Sequence, residues 1–463
     1  DKWDPLSYGR DYDFNRPFFE QYADLQKVVP RMSLNNVHAE NSDYCNMCVG
    51  NKNSYLIFGG DNNEDSMYGA LPMFCKDCVD CDWTNYCELC YECTLCEHCY
   101  NCQFTYYSKD CYDCNFVEDC IGCRDCLLSF NLKNQSYYIE NKPYTKEEFL
   151  KKKNELLNGS HQNQQALLGK FLELRKNRIV KYAHQLNTEN SFGDYIFNSK
   201  NCTNCYEMFN GEDCHEIIVG IKLKDCFNSD YLGHKSVGSY NMISGFTSYN
   251  VKFSYFVSDS SDITYCEFII AGENLFGCTG IRHKEYCILN KQYSKEEFTK
   301  LREKIIEHMK STGEWGRFFP KDLSAFSYNG STSVFLYPRK KEEALAEGFR
   351  WHEDSQLPTT QTYQIPNSIQ DVTDSITNEV LVCEVTGRNF RIIPQELKFY
   401  RKQNIPIPHH HPDQRYYDRL ALRNPFMLFD RLCQSCGKNI KTTYDPNRPE
   451  TVYCEKCYLE AVY

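Results

Sequence analysis

The chain has 463 residues, 41% of them hydrophobic, with 28 cysteines, 35 tyrosines, 29 phenylalanines and a net charge of −11. That length carries roughly two to four domains. No apolar run approaches the ~18 residues of a membrane span, and the acidic balance excludes a protein that coats nucleic acid with its whole surface.

The first residue is Asp1, and no charged-then-apolar leader follows it, so a cytoplasmic location is expected, with the true start left open. Residues 1–35, including "YGRDYDFNRPFFEQYADLQKVVPRMS", read as an extended or helical strap over the repeat that follows.

From 36 to 140 the chain repeats every twelve residues. Cut at that interval it reads CKDCVDCDWTNY, CELCYECTLCEH, CYNCQFTYYSKD, CYDCNFVEDCIG and CRDCLLSFNLKN. One column is Cys75, Cys87, Cys99, Cys111, Cys123; another runs from Ser42, Ser54 and Ser66 through Cys78, Cys90, Cys102 and Cys114 to Cys126. Asn or Asp mostly precedes the second column: Asn41, Asn53, Asp65, Asp77, Asn101, Asp113, Asp125. Small residues at every third position fit neither the 3.6 period of a helix nor the 2 of a flat strand. They predict a narrow β-solenoid of about twelve residues per coil, whose coils bury their inner faces only by stacking. The acidic, glycine-rich "YLIFGGDNNEDSMYG" falls in this register. Asp61, Glu64 and Asp65 within it lack EF-hand spacing and read as exposed turns.

Residues 141–185 predict a helical cap and connector, and 186–290 a second solenoid. In the second, Cys202, Cys214, Cys226, Ser236, Ser248, Ser260 and Gly272 align at steps of twelve, except for one of ten between Cys226 and Ser236. Both repeats end alike, in "YYIENKPYTKEEFLKKKNELL" and "EYCILNKQYSKEEFTKLREKII". Thr145 with Glu148, and Ser294 with Glu297, are capping boxes that open a helix over each open sheet edge. Residues 291–380 complete the second cap and form a linker region.

The coils resemble the twelve-residue antifreeze solenoids of beetles, which also alternate small inward residues. No outward column is threonine-rich, so ice binding is not expected. Three uses of the coil cysteines compete. They fill a core too narrow for leucine, a reading favoured by Ser and Gly in the same columns. They cross-link coils internally, as Cys75–Cys81 or Cys90–Cys96 would. Or stacked C-x-x-C pairs bind zinc, the candidate ligands being Cys75, Cys78, Cys87, Cys90, Cys99, Cys102, Cys111 and Cys114.

Residues 381–463 form a C-terminal module. "CQSCGKNIKTTYDPNRPETVYCEKC" gives Cys433-x-x-Cys436 and Cys454-x-x-Cys457, zinc-ribbon spacing that saturates a tetrahedral Zn²⁺ and leaves no catalytic position. With "QELKFYRKQNIPIP", "HPDQRYYDR", "RNP" and "VYCEKCY", this region resembles the C-terminal part of uncharacterised Cys-rich zinc-ribbon proteins of Candidate Phyla Radiation bacteria. The resemblance implies a zinc-ribbon module and no particular activity. Related segments place C-x-x-C where this chain has Cys383-Glu384-Val385-Thr386, and often Cys where His411 stands, which leaves Cys383 and His411 as weak candidates for a second site. His409, His410 and His411 are adjacent in an extended stretch and point in different directions, so they read as loop residues. From 383 onward there are 13 Lys+Arg and 9 Asp+Glu, 13 − 9 = +4, a mildly basic flank.

No nucleophile–base pair or phosphate-cradling loop emerges. The fold class expected is mainly β: a duplicated narrow β-solenoid with capping helices and a C-terminal zinc ribbon. The function expected is a non-enzymatic, zinc-binding scaffold with a protein partner. The alternatives are an RNA- or ribosome-associated factor using the basic flank, and a thiol-rich metal store.

Overall fold

The computed structural model describes residues 3–31, 34–331, 333–353 and 363–462. Small parts of the expected strap (1–2 and 32–33) and linker (332 and 354–362) lie outside the described residues. Strands dominate, and most belong to two long parallel ladders. In the first, Glu40 pairs with Lys52, Lys52 with Glu64, Glu64 with Lys76, and Lys76 with Glu88, each partner twelve residues on. The offset continues through strands Gln103–Tyr106, Asn115–Glu118 and Arg124–Phe130. In the second, Thr203–Phe209 pairs with His215–Ile221, which pairs with Phe227–Gly233.

The period of three has a backbone cause. Asp77, Asp80, Trp83, Tyr86 and Leu89 all have φ between 50° and 57°, so every third residue turns the chain through the left-handed region. Asn and Asp tolerate that region best among residues with a side chain, which explains why they precede the Ser/Cys column. The turning residue still joins the ladder: the Asp77 N–H donates to the Glu64 carbonyl at 3.0 Å. Side chains after each turn point inward, and Cys78, Cys90, Cys102 and Cys114 are all buried.

The step of ten expected in the second repeat is corrected to one of thirteen. Phe227 pairs with Tyr240 and Leu232 with Gly245, whereas Val237 pairs with Tyr249 at twelve again. The extra residue is absorbed between Gly233 and Val237, where His234 and Lys235 both have positive φ. Ser239, not Ser236, therefore follows Cys226 in its column. A corner can take in one residue by an added turn, whereas losing two would break the inward column.

Helix α1 (Phe18–Val28) corrects a second expectation. The N-terminal segment packs on the second ladder, not the first: Tyr12, Phe18, Tyr22 and Leu25 share a core with Phe253, Tyr265, Phe276 and Ile288. Glu314 accepts the N–H groups of Phe18 and Phe19 at 2.9 and 2.8 Å, capping α1 from a distance.

Each ladder ends in a short antiparallel turn, Tyr138 with Pro143 and Cys287 with Gln292. Helices α2 (Lys146–Leu156), α3 (His161–Lys176) and α4 (Lys295–Ser311) follow, and α2 and α4 each open on a complete capping box. After α5 (Ser333–Leu336) and α6 (Lys341–Ala346) the chain returns to the first ladder. There Ile369, Ile376, Leu397, Phe399 and Tyr400, the last three from α7 (Pro394–Gln403), cover Tyr68, Tyr91, Phe104 and Phe116.

His184 sits where the two ladders meet. Its Nδ1 lies 3.0 Å from Asp194 and its Nε2 3.4 Å from Asp119, and its ring stacks on Tyr195 at 4.3 Å. Burial lowers its pKa, but Asp194 and Asp119 prevail and hold it up at about 10, against an ordinary value of 6.5. A raised pKa makes the imidazolium stabilising below 6.5 and progressively less so as pH climbs toward 10. The thermal midpoint is therefore expected to fall across that window, and His184→Gln to remove most of the slope.

Candidate metal centre

Strands Phe429–Leu432 and Asn439–Thr442 form an antiparallel hairpin whose tip carries Cys433 and Cys436. The Cys433 N–H donates to the Lys438 carbonyl at 2.8 Å, and the Gly437 N–H returns to the Cys433 carbonyl at 2.9 Å. Gly437 has φ +73°, a position suited to glycine, and the tight knuckle turns both sulfurs to one side. Strand Thr451–Tyr453 then delivers Cys454 to the start of α9 (Glu455–Val462), with Cys457 in its first turn. That strand pairs in parallel with Ile179–Lys181, fastening the module to the connector between the ladders.

The four sulfurs lie within 4.8 Å of one another. Cys436 and Cys454 Sγ are 3.8 Å apart, matching the edge of about 3.8 Å that a tetrahedron with Zn–S bonds of about 2.3 Å requires. Four soft donors with tetrahedral spacing fit zinc, and a Cys₄ set leaves no position for substrate. Burial opposes ionisation of Cys433, yet the N–H groups of Cys454, Cys436 and Ser435 hold its thiol at about 6. The Ser435 hydroxyl favours ionisation of Cys457, but burial and three neighbouring cysteines raise it to about 12. Among the described residues this is the one set of three or more His, Cys, Asp or Glu side chains with ligand atoms so close.

The ladder cysteines have different surroundings. Cys78 Sγ lies 3.3 Å from the Lys76 carbonyl and 3.4 Å from that of Cys87; Cys114 Sγ lies 3.3 Å from Tyr112 O and 3.6 Å from Cys123 O. Cys75, Cys87, Cys90, Cys99, Cys102 and Cys111 each face a carbonyl two residues back and another nine ahead in the same way. Serines in these columns repeat the pattern: Ser54 Oγ lies 3.1 Å from Lys52 O and 3.5 Å from Asn63 O. A neutral S–H or O–H can donate to such a carbonyl; a thiolate cannot. Burial pushes Cys78, Cys93 and Cys102 well above the ordinary thiol range. Hydrogen bonds from neighbouring cysteines hold Cys75, Cys90, Cys99 and Cys114 well below it, so the carbonyl contacts rather than the titration favour neutral thiols here. All 28 cysteines are free thiols, so the cross-links considered for Cys75–Cys81 and Cys90–Cys96 are not formed.

Cys383 heads a second knuckle with the same hydrogen bonds as the first: its N–H donates to Arg388 O at 2.9 Å and the Gly387 N–H to its own carbonyl at 2.9 Å. Thr386 stands where the first knuckle has Cys436. His411 caps α8 (Pro412–Leu420), its Nδ1 accepting the Asp413 N–H at 3.1 Å. The other two histidines have separate partners, His409 Nδ1 on Glu384 at 2.6 Å and His410 Nδ1 on Asp418 at 2.8 Å. Asp61 accepts the Val49 N–H at 3.0 Å, and Glu64 lies 3.5 Å from Lys76.

Much of the basic flank is neutralised inside the molecule, a feature sequence reasoning missed. Arg415 on α8 reaches Asp80 at 2.7 Å and the Tyr400 hydroxyl at 2.7 Å. Arg419, one turn on, reaches Asp82 at 2.6 Å, Asp80 at 3.1 Å and Glu92 at 3.4 Å, and is 2% exposed. Arg423 pairs with Glu207 of the second ladder and lies over Trp83. On the other side, Glu118 is fully buried. Burial opposes its charge, but Arg178 and Arg175 hold its pKa at about 2. The available signal was the i, i+4 spacing of Arg415 and Arg419 together with the acids Asp80, Asp82 and Glu92 in an otherwise largely aromatic part of the repeat.

Neither a search against protein-family models nor one against curated proteins finds a match for this chain.

Proposed function

We propose that the protein is a non-enzymatic scaffold: two narrow β-solenoids, joined side by side and locked by a C-terminal zinc ribbon. The observation that carries this is the closed character of the four-cysteine cluster, whose donors saturate one metal ion and leave it structural. The ribbon reading is supported by its knuckle geometry, and the solenoid reading by the repeated twelve-residue pairing. No helix is long and apolar enough to cross a membrane among the described residues. Free, carbonyl-facing thiols suit a reducing compartment, which supports a cytoplasmic setting.

The RNA reading is weakened because Arg415, Arg419 and Arg423 face carboxylates rather than solvent. The metal-store reading is weakened because serines share the cysteine columns. Elemental analysis of the purified full chain is expected to find about one zinc per molecule. Cys114→Ser should leave that content unchanged and cost no more than about 1–3 kcal/mol of stability. Several tightly held ions, with one lost on this substitution, would replace the scaffold by a store. Binding of a labelled RNA oligomer that weakens steeply between about 50 and 200 mM salt would favour the RNA factor instead.

A further inference from the structure

We infer that the first turn of the first ladder is a docking edge for an extended, basic segment of a partner protein. This deepens the scaffold reading and rests on it. The turns that follow pair on both sides, as Lys52 does with Glu40 and Glu64. The Asn51 carbonyl accepts from the Glu40 N–H at 2.9 Å, and the Asn53 N–H donates to the Glu40 carbonyl at 2.9 Å. One step upstream, the equivalent groups are the carbonyls of Ala39 and Ser42 and the N–H groups of Asn41 and Tyr44. These four have no partner among the described residues. The N-terminal segment, which could have covered them, lies on the other ladder. Tyr44 is 64% exposed on this edge.

Unpaired edges invite a strand, and the charge pattern says which. The paired column reads Glu40, Lys52, Glu64, Lys76, Glu88, with signs alternating at every step. The second ladder repeats it as Glu189, Lys200, Glu212 and Lys224, with Lys224 3.1 Å from Glu212 and Lys200 3.3 Å from Glu189. Glu40 ends the series with a cation on one side only. The strand that continues it places Lys or Arg upstream of Glu40. Residues 34–51 hold Glu40 and Asp43 and no Lys or Arg. A second copy meeting this edge head to head would set acids against acids, which is destabilising. A basic partner strand satisfies both the backbone and the column.

The test uses the full chain and a fluorescein-labelled synthetic peptide copying residues 46–57 with its cysteine replaced by serine. Its lysine corresponds to Lys52, which already faces Glu64 across a native step. Fluorescence anisotropy is expected to show saturable binding, weakened at least about fivefold by Glu40→Lys. A peptide with its lysine changed to glutamate should reverse that preference, binding the variant better than the parent protein. Glu40 is exposed, so the variant's metal content should match the parent's and its thermal unfolding should fall only slightly, by the exposed repulsion it creates against Lys52, which separates loss of the edge from failure of the scaffold reading. Absence of peptide binding, or binding indifferent to both charge changes, would overturn the inference. Sedimentation showing self-association abolished by Glu40→Lys would overturn it in favour of a second copy.

Discussion

Treatment of the full chain with a strong chelator is expected to unfold residues 425–463 while both ladders stay folded. The C-terminal module's own core is small: Ile440, Tyr444 and Val452, with Val180 lent by the connector. Apolar contacts on that scale cannot order about forty residues alone. A structural zinc contributes on the order of 10–16 kcal/mol in comparable modules, so metal loss should remove most of the module's stability. Hydrogen exchange would register it as lost protection at Ile440 and Val452 and in the pairing of Thr451–Tyr453 with Ile179–Lys181. Protection at Val117 and Ile217, inside the ladders, should persist. Amides of this module that remain protected in chelator would refute the structural role proposed for the metal. Cys433→Ser is expected to act like the chelator, because the remaining three sulfurs leave the tetrahedron open.

Arg419→Ala is expected to destabilise the whole molecule by about 3–5 kcal/mol in urea unfolding. The guanidinium faces Asp82 and Asp80, both buried with it, and the partly buried Glu92. Glu92 is already pushed up to about 8 by burial, opposed by Arg419. Removing the cation leaves the buried Asp82 carboxylate without its partner, and leaves Asp80 to Arg415 alone, a far larger effect than loss of a surface pair. Lys441→Ala, which breaks an exposed contact with Asp430, should stay within about 0.5 kcal/mol. If the two variants unfold at the same urea concentration, the buried cluster is not what joins the C-terminal module to the first ladder. Adding Asp82→Asn to Arg419→Ala should recover part of the loss, since one uncompensated charge goes with it.

The ladders were legible because their cause is local. A left-handed residue at every third position imposes small inward residues between the turns and writes Asn and Asp before Ser and Cys. The helix starts at Thr145 and Ser294 were legible for the same reason, each being settled by a residue and its neighbour three positions on. The thirteen-residue step was misread because Ser236 and Ser239 are equally small and only pairing tells them apart. What the strap covers was not legible: Phe18, Tyr22 and Leu25 announce an apolar face but do not say which ladder it meets. The ion cluster was missed because Arg415 and Arg419 look solvated until Asp80 and Asp82, more than three hundred residues away, are seen beneath them. For the candidate metal centre, the spacing of Cys433, Cys436, Cys454 and Cys457 was enough to nominate the four cysteines that the fold brings within 4.8 Å of one another, but not the strand that ties them to Ile179–Lys181.

The alternating column bears on how such a chain can lengthen. An in-frame duplication of about 36 nucleotides adds one complete turn and returns an identical end face to the terminal turn. Copying one turn within the Glu40-to-Glu88 series, however, stacks Lys on Lys or Glu on Glu, a repulsion at every such join. Copying two together preserves the order of signs. The heritable unit of growth in this stretch is then a pair of turns, about 72 nucleotides, although the backbone itself repeats after one.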